Sequence, residues 1–301
     1  MNEATGTFTT TAASRQWTAP DGERFPYSVW ESATQPPRAI MVAVHGLSGA
    51  ALDYEPLGSH LVGEGMTTYA LELRGQGNDP VPTRRGDLES LEQWYADLRA
   101  FLSLVRGQHP GAQVYYYGES MGAALLTRFL ADADPSLQPA GLILASPVIR
   151  VPGEPSWLRR VIFEVCQFLT PRRRVDVSKY TKRQNPDDPK YWVTRDASHR
   201  QWFETASHRI TSFTFRFFKC LFDLFSGCMG AAPQIVAPVL VVYAKNDVYI
   251  SPARVEEFVA HLGSRDKESE LFPDSYHLLL HDFDKSRALE RIERWLRERL
   301  G

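Results

Sequence analysis

Residues 114–126 read Val-Tyr-Tyr-Tyr-Gly-Glu-Ser-Met-Gly-Ala-Ala-Leu-Leu: an aromatic run, a Gly-x-Ser-x-Gly pentapeptide and the start of an Ala/Leu-rich stretch. This order calls for a strand that turns sharply into a helix. A serine at the centre of such a turn sits on strained backbone with its hydroxyl exposed at the carboxyl end of the sheet, and the flanking glycines let the chain bend that tightly. From composition alone the three fixed positions recur in about one chain in ten. The strand before and the helix after are what make Ser120 a candidate nucleophile rather than an ordinary turn serine.

The rest of the chain supplies partners for that strand. Runs of β type occur at Phe8 to Ala12, Phe25 to Glu31, Ala39 to Val44, Thr67 to Leu73, Gln113 to Tyr117, Leu142 to Ala145, Val239 to Tyr243 and, more weakly, Glu270 to Phe272. Helical periodicity intervenes at Leu88 to Val105, Arg254 to Leu262 and Lys285 to Leu300. Strands alternating with helices predict an α/β fold with a mostly parallel sheet covered on both faces. The 301 residues, 43% of them apolar, suffice for one core with an inserted lid.

The alternation breaks between Arg150 and about Pro233, where no strand is expected. Trp157, Leu158, Val161, Ile162, Val165, Phe168 and Leu169 recur at helical spacing, as do Phe213, Phe217, Phe218, Leu221, Phe222 and Phe225. The expected division is therefore a core segment 1–149, a helical lid 150–233 and a second core segment 234–301. Residues 150–200 carry 12 Lys and Arg against 6 Asp and Glu, within a chain whose net charge is -2. A basic, aromatic lid suits transient contact with an anionic lipid surface, while the near-neutral whole gives no reason to bind nucleic acid. Cys166, Cys220 and Cys228 are odd in number and have no C-x-x-C spacing, so neither a disulfide framework nor a zinc site is expected. The opening Met1-Asn2-Glu3-Ala4-Thr5 has no basic segment leading into an apolar run, and no stretch of about 18 apolar residues follows. A cytoplasmic protein is expected.

Three further segments complete a candidate site. The apolar run ending at Val44 leads into His45-Gly46-Leu47-Ser48-Gly49, a small-residue loop able to aim a backbone N–H. In this topology an oxyanion is held by one N–H from that loop and one from the residue after the serine, which places Leu47 and Met121 in those positions. Val239 to Tyr243 ends in Lys245-Asn246-Asp247, ahead of Ser251-Pro252 as N-cap and first helical residue, making Asp247 the candidate acid. After the last strand come His277 and His281; His277, directly behind the strand and its loop, is the candidate base. Serine, acid and histidine thus follow in the order 120, 247, 277. His45 reads best as a buried histidine satisfied by backbone, and it joins Phe213, Phe217, Phe218 and Tyr276 in the candidate substrate-binding set.

These segments together resemble the serine-aminopeptidase-like branch of the α/β-hydrolases, the group that holds monoacylglycerol lipases and bacterial lysophospholipases. The resemblance covers most of the chain and includes Leu73-Arg74-Gly75-Gln76-Gly77 with Arg85-Gly86, Asn246-Asp247 and Tyr276-His277. It departs at Glu119, where the family often has histidine, at Glu72, which replaces an aspartate, and in lacking the Glu-His that commonly follows the oxyanion loop. It implies an eight-stranded α/β-hydrolase fold with a helical lid and a serine hydrolase without metal or cofactor. The implied substrates are small acyl esters such as monoacylglycerols, lysophospholipids or medium-chain esters. Thioester, peptide or carbon–carbon cleavage, acyl transfer and a non-catalytic ligand-binding role use the same frame.

Overall fold

The computed structural model describes residues 12–150, 157–178 and 188–300. Its centre is an eight-stranded sheet in the order β1-β2-β4-β3-β5-β6-β9-β10. The strands are β1 (Ala13–Thr18), β2 (Arg24–Trp30), β3 (Ala39–Val44), β4 (Met66–Leu71), β5 (Val114–Glu119), β6 (Gly141–Ala145), β9 (Val239–Ala244) and β10 (Lys267–Phe272). Only β2 runs against its neighbours β1 and β4; the other pairings are parallel.

The inner strands β3, β5, β6 and β9 are buried along their whole length, as strands covered on both faces must be. Alternate residues feed two separate cores: Ile40, Val42 and Val44 lie on one face, Ala39, Met41 and Ala43 on the other. The first face is covered by helices α2 (Leu91–Gln108) and α3 (Met121–Ala131), which contribute Trp94, Phe101 and Leu125. The second is covered by α1 (Glu55–Gly63) and, at the end of the chain, by Leu289, Ile292 and Trp295 of the helix Lys285–Arg297.

Two edge strands differ from expectation. The first strand is Ala13–Thr18, of which only Trp17 is buried, so it carries no periodic apolar signal; residues 8–11 lie outside the described part. The last begins at Lys267 rather than Glu270 because Glu268 and Glu270, which look unlike strand residues, are neutralised by Arg291 of the final helix.

Between β6 and β9 lie α4 (Trp157–Leu169), β7 (Arg174–Asp176), α5 (Ala197–Thr205), β8 (Ser212–Thr214) and α6 (Phe215–Ala231). The expectation of no strand here is corrected: β7 and β8 pair antiparallel, three residues each, too short for any alternation to register. Phe213 belongs to β8, and Thr214 caps α6 by accepting from the Phe217 N–H at 3.1 Å. Helix α6 is no satellite, since Phe217, Leu221, Leu224 and Cys228 join the core cluster of the first sheet face. Two helices close the chain: α7 (Pro252–His261) and α8 (Lys285–Arg297). Among the described residues no helix is long and apolar enough to cross a membrane.

Gly58 of α1 shows how tightly these layers meet. A β-carbon there would come within 2.2 Å of the ring of the fully buried Trp30. Alanine is the better helix former by roughly 1 kcal/mol, but overpacking a core costs about 1–3 kcal/mol. Gly58→Ala is therefore expected to lower the urea midpoint, and an equal or higher midpoint would show that the layers can part.

Candidate active site

Ser120 sits between β5 and α3 at φ 56 and ψ -116, a conformation costing on the order of 1–3 kcal/mol. Its N–H donates to the Ala145 carbonyl at 2.9 Å, fixing the bend against β6. The two flanking glycines are demanded by contact. A β-carbon on Gly118 would lie 2.8 Å from the Ala123 backbone, and one on Gly122 2.0 Å from the Val44 carbonyl oxygen. Gly46 faces the serine less tightly: a β-carbon there would lie 3.1 Å from the Ser120 Cβ.

Asp247 and His277 come from the loops after β9 and β10, which are cross-linked by an Asn246 N–H to Ser275 carbonyl bond of 3.2 Å. His277 Nδ1–H donates to Asp247 Oδ2 at 2.7 Å, with both side chains buried. The other carboxylate oxygen, Oδ1, accepts from the Tyr249 and Ile250 N–H groups at 2.8 and 3.3 Å. Tyr249 packs edge-on to the imidazole, ring centroids 4.7 Å apart. Burial pulls the His277 pKa down, but the charge and hydrogen bond of Asp247, assisted by Glu119, prevail and raise it above its ordinary value. His281 is elsewhere: its Nε2–H donates to the Asp53 carbonyl at 2.9 Å, its ring stacks on His199 at 4.1 Å, and burial and His199 hold its pKa down to about 3.

His45 accepts from the Leu73 N–H at Nε2 (3.1 Å) and donates from Nδ1 to the Gly46 carbonyl (2.9 Å), a backbone-satisfied neutral ring whose pKa burial lowers. The loop after it is held by residues that sequence reasoning assigned no role. Gln76 Oε1 accepts from Ser48 N–H at 2.9 Å, and Glu72 Oε1 accepts from Ala51 N–H at 3.0 Å. Gly77, at φ 46, leaves the space that Glu72 fills. The signal was the Leu73-Arg74-Gly75-Gln76-Gly77 segment itself, but nothing in the linear sequence tells which loop it holds. Leu47 lies on the cavity wall and Met121 opens α3, where helix N–H groups lack a carbonyl one turn back.

Ser120 and His277 open onto one cavity of about 700 Å3. Its lining includes Phe163, Phe213, Phe215, Phe218, Phe222 and Phe225 and, among polar residues, Asp53, Glu119, His199 and His281. Of the expected substrate-binding set, His45, Phe213 and Phe218 line it. Phe217 and Tyr276 do not: Phe217 is sandwiched in the core between Phe213 and Trp94, and Tyr276 packs on Trp192. Arg85-Gly86-Asp87 moors the cavity's cover. Arg85 donates to the Ser207 carbonyl at 2.8 Å, a β-carbon on Gly86 would strike the Ser212 carbonyl at 2.1 Å, and Asp87 receives Thr214 and Arg216.

A serine on a strained strand-to-helix elbow, a buried Asp–His pair from the next loops and a parallel sheet with one reversed strand together define an α/β-hydrolase. The model of the serine aminopeptidase S33 family matches residues 35–284, and the chain belongs to that family. It is 21% identical to the monoglyceride lipase of Saccharomyces cerevisiae over 95% of this chain and 94% of that protein. It is 25% identical to an uncharacterized abhydrolase domain-containing protein of Dictyostelium discoideum over 93% of this chain, spanning 28% of that protein's length. Among solved structures, a soluble variant of the S. cerevisiae monoglyceride lipase in complex with a substrate analog superposes with a TM-score of 0.82 at 19% identity, covering 99% of each chain.

Imidazole NMR provides a check of the geometry. His277 is expected to titrate with a midpoint above about 6.5, while His281, at about 3, stays neutral through mildly acidic solution. Reversed midpoints would refute the placement of both rings.

Proposed function

We propose that the protein is a serine esterase of single-chain acyl lipids, monoacylglycerols foremost, working through an acyl-enzyme. Neutral His277 takes the Ser120 proton as Oγ attacks the ester carbonyl; Asp247 orients the ring and stabilises the imidazolium. The Leu47 and Met121 N–H groups receive the developing oxyanion, the alkoxide leaves with the proton from His277, and water then cleaves the acyl-enzyme. The observation that carries the reading is the lining of the cavity that Ser120 and His277 share: many phenylalanines suited to a hydrocarbon chain, together with polar side chains suited to a small hydroxylated leaving group. The likeness to proteins named monoglyceride lipase supports the same class.

The segment between β6 and β9 acts as the lid. On α4, Ile162, Val165, Phe168 and Leu169 are exposed, Phe168 by 80%, and Arg172-Arg173-Arg174 follow after Thr170 and Pro171. An apolar helix face beside a basic cluster suits transient contact with an anionic lipid surface. The unpaired Cys166, Cys220 and Cys228 suit a cytoplasmic setting.

Hydrolysis of p-nitrophenyl esters from acetate to palmitate, with monooleoylglycerol beside trioleoylglycerol, tests this. The wild type should prefer medium or long chains and the monoacyl lipid, and Ser120→Ala should lose roughly 10⁴-fold or more in kcat without losing stability. Preference for acetate alone would remove the lipid reading, and failure of Ser120 to label with a fluorophosphonate would remove the esterase itself.

A further inference from the structure

We infer that Gln76 is a positioning residue that closes a ring of hydrogen bonds between the cavity's cover and the loop after His45, so that Leu47 is set beside Ser120 only while the cover is seated. The inference rests on the esterase reading given above, in which the Leu47 N–H receives the oxyanion. Gln76 is fully buried and is not part of the cavity wall. Its main chain is fixed within its own turn, with the N–H on the Leu73 carbonyl at 3.0 Å and the carbonyl receiving the Asp79 N–H at 2.9 Å. The side chain reaches further. Its Oε1 accepts from the Ser48 N–H at 2.9 Å, and its Nε2–H donates to the Gly75 carbonyl at 2.8 Å. An acceptor and a donor are both in use, so only a primary amide placed this way serves both partners.

From Gly75 the ring runs out to the cover and returns. The Gly75 carbonyl also accepts the Gly86 N–H at 2.7 Å, and the Gly86 carbonyl accepts the Thr214 N–H at 2.9 Å. The chain then leads back through β8 to Ile210, whose carbonyl accepts the Ser48 hydroxyl at 3.1 Å. Its joints lie at main-chain distance: β-carbons on Gly75 and Gly86 would each come within 2.1 Å of a carbonyl oxygen, of Asp87 and of Ser212. Ser48 is where the two arms meet, its N–H on Gln76 and its hydroxyl on the cover. It is held at φ 59, a left-handed conformation that serine seldom adopts. Released from either arm, it relaxes towards ordinary backbone; without the amide its buried N–H has no other acceptor among the described residues. Leu47 lies between Ser48 and Gly46, where a β-carbon would be 3.1 Å from the Ser120 Cβ, so any turn at Ser48 moves Leu47 relative to the serine. A misplacement of about 1 Å at such a site costs on the order of 10²-fold in rate.

Amide hydrogen exchange and kinetics test this on the full chain. Gln76→Met removes the amide; Ser48→Ala cuts only the bond to Ile210, and so keeps the test valid if the first variant does not fold. In a Ser120→Ala background, each should speed exchange in residues 46–52 and in residues 208–214 together, while the NMR midpoint of His277 stays where it is. With Ser120 restored, Gln76→Met should lower kcat by about 10- to 100-fold and leave KM within about twofold, because the group displaced acts on the transition state. The two changes combined should lose no more than the more severe one alone, since either opens the same ring. Faster exchange confined to residues 46–52 overturns the inference, as does a raised KM with kcat retained or a double variant in which the losses multiply. A wild type that hydrolyses no ester removes the esterase reading alone, and joint exchange of the two segments then still supports the ring.

Discussion

Gly122 lets the first turn of α3 lie against the end of β3, where a β-carbon would press to 2.0 Å from the Val44 carbonyl oxygen. That contact fixes three things together. It holds Ser120 at positive φ, it brings the start of α3 beside the loop that follows His45, and it sets Gly46 so near the serine that a β-carbon there would lie 3.1 Å from the Ser120 Cβ. A nucleophile and a pair of backbone donors can converge only if two loops approach at main-chain distance, and side chains at 46, 118 or 122 would hold them apart. The strain at Ser120 persists because its N–H is tied to Ala145 and the strand beneath is buried on both faces.

The cover of the cavity is tied to the same loops. Ser48, itself at φ 59, donates its hydroxyl to the Ile210 carbonyl at 3.1 Å while its N–H is held by Gln76. Leu278, next to His277, donates its N–H to the Val193 carbonyl at 2.8 Å, and Arg195 bridges Asp282 and Asp284 behind it. Each bond contributes only about 1 kcal/mol. Their placement matters more: the segment from Val193 to Arg216 is bonded to the loop after His45, the loop after β10 and the Arg85–Asp87 turn at separate points. The apolar face of α4 has no such ties among the described residues.

Sequence patterning reached the inner strands and the serine, acid and histidine positions because each carries a strong local signal: continuous apolar runs, a constrained pentapeptide, polar loops after late strands. It missed the whole of β1 and half of β10, where most of the residues that make the strand are polar and their reason lies across the sheet, in Val29 to Arg24 for one and in Arg291 for the other. It misplaced Phe217 and Tyr276 on the substrate wall. Helical spacing tells that Phe213, Phe217 and Phe218 cluster, but not that Phe217 turns towards Trp94 while Phe218 turns to the cavity. Glu72 and Gln76 were visible as a motif and silent as to target, since a side chain that holds a distant loop leaves no periodicity.

Burial alone would make every imidazole around this cavity a poor base. His45, His199, His208 and His281 all have their pKa values lowered, with desolvation as the leading cause, although carboxylates stand near several of them. His208 Nε2 is 3.7 Å from an Asp53 oxygen, beyond hydrogen-bond contact, and Asp53 is itself pushed up to about 7 by burial, so the pair is short of charge on both sides. Among the described rings around the cavity only His277 is moved upward, and its carboxylate partner at 2.7 Å has its other oxygen engaged by two main-chain N–H groups. The upward shift of this one ring is therefore set by the loop after β9. That loop holds one Asp247 oxygen on two backbone N–H groups and turns the other to the imidazole, which regains the basicity that desolvation removes from the rest.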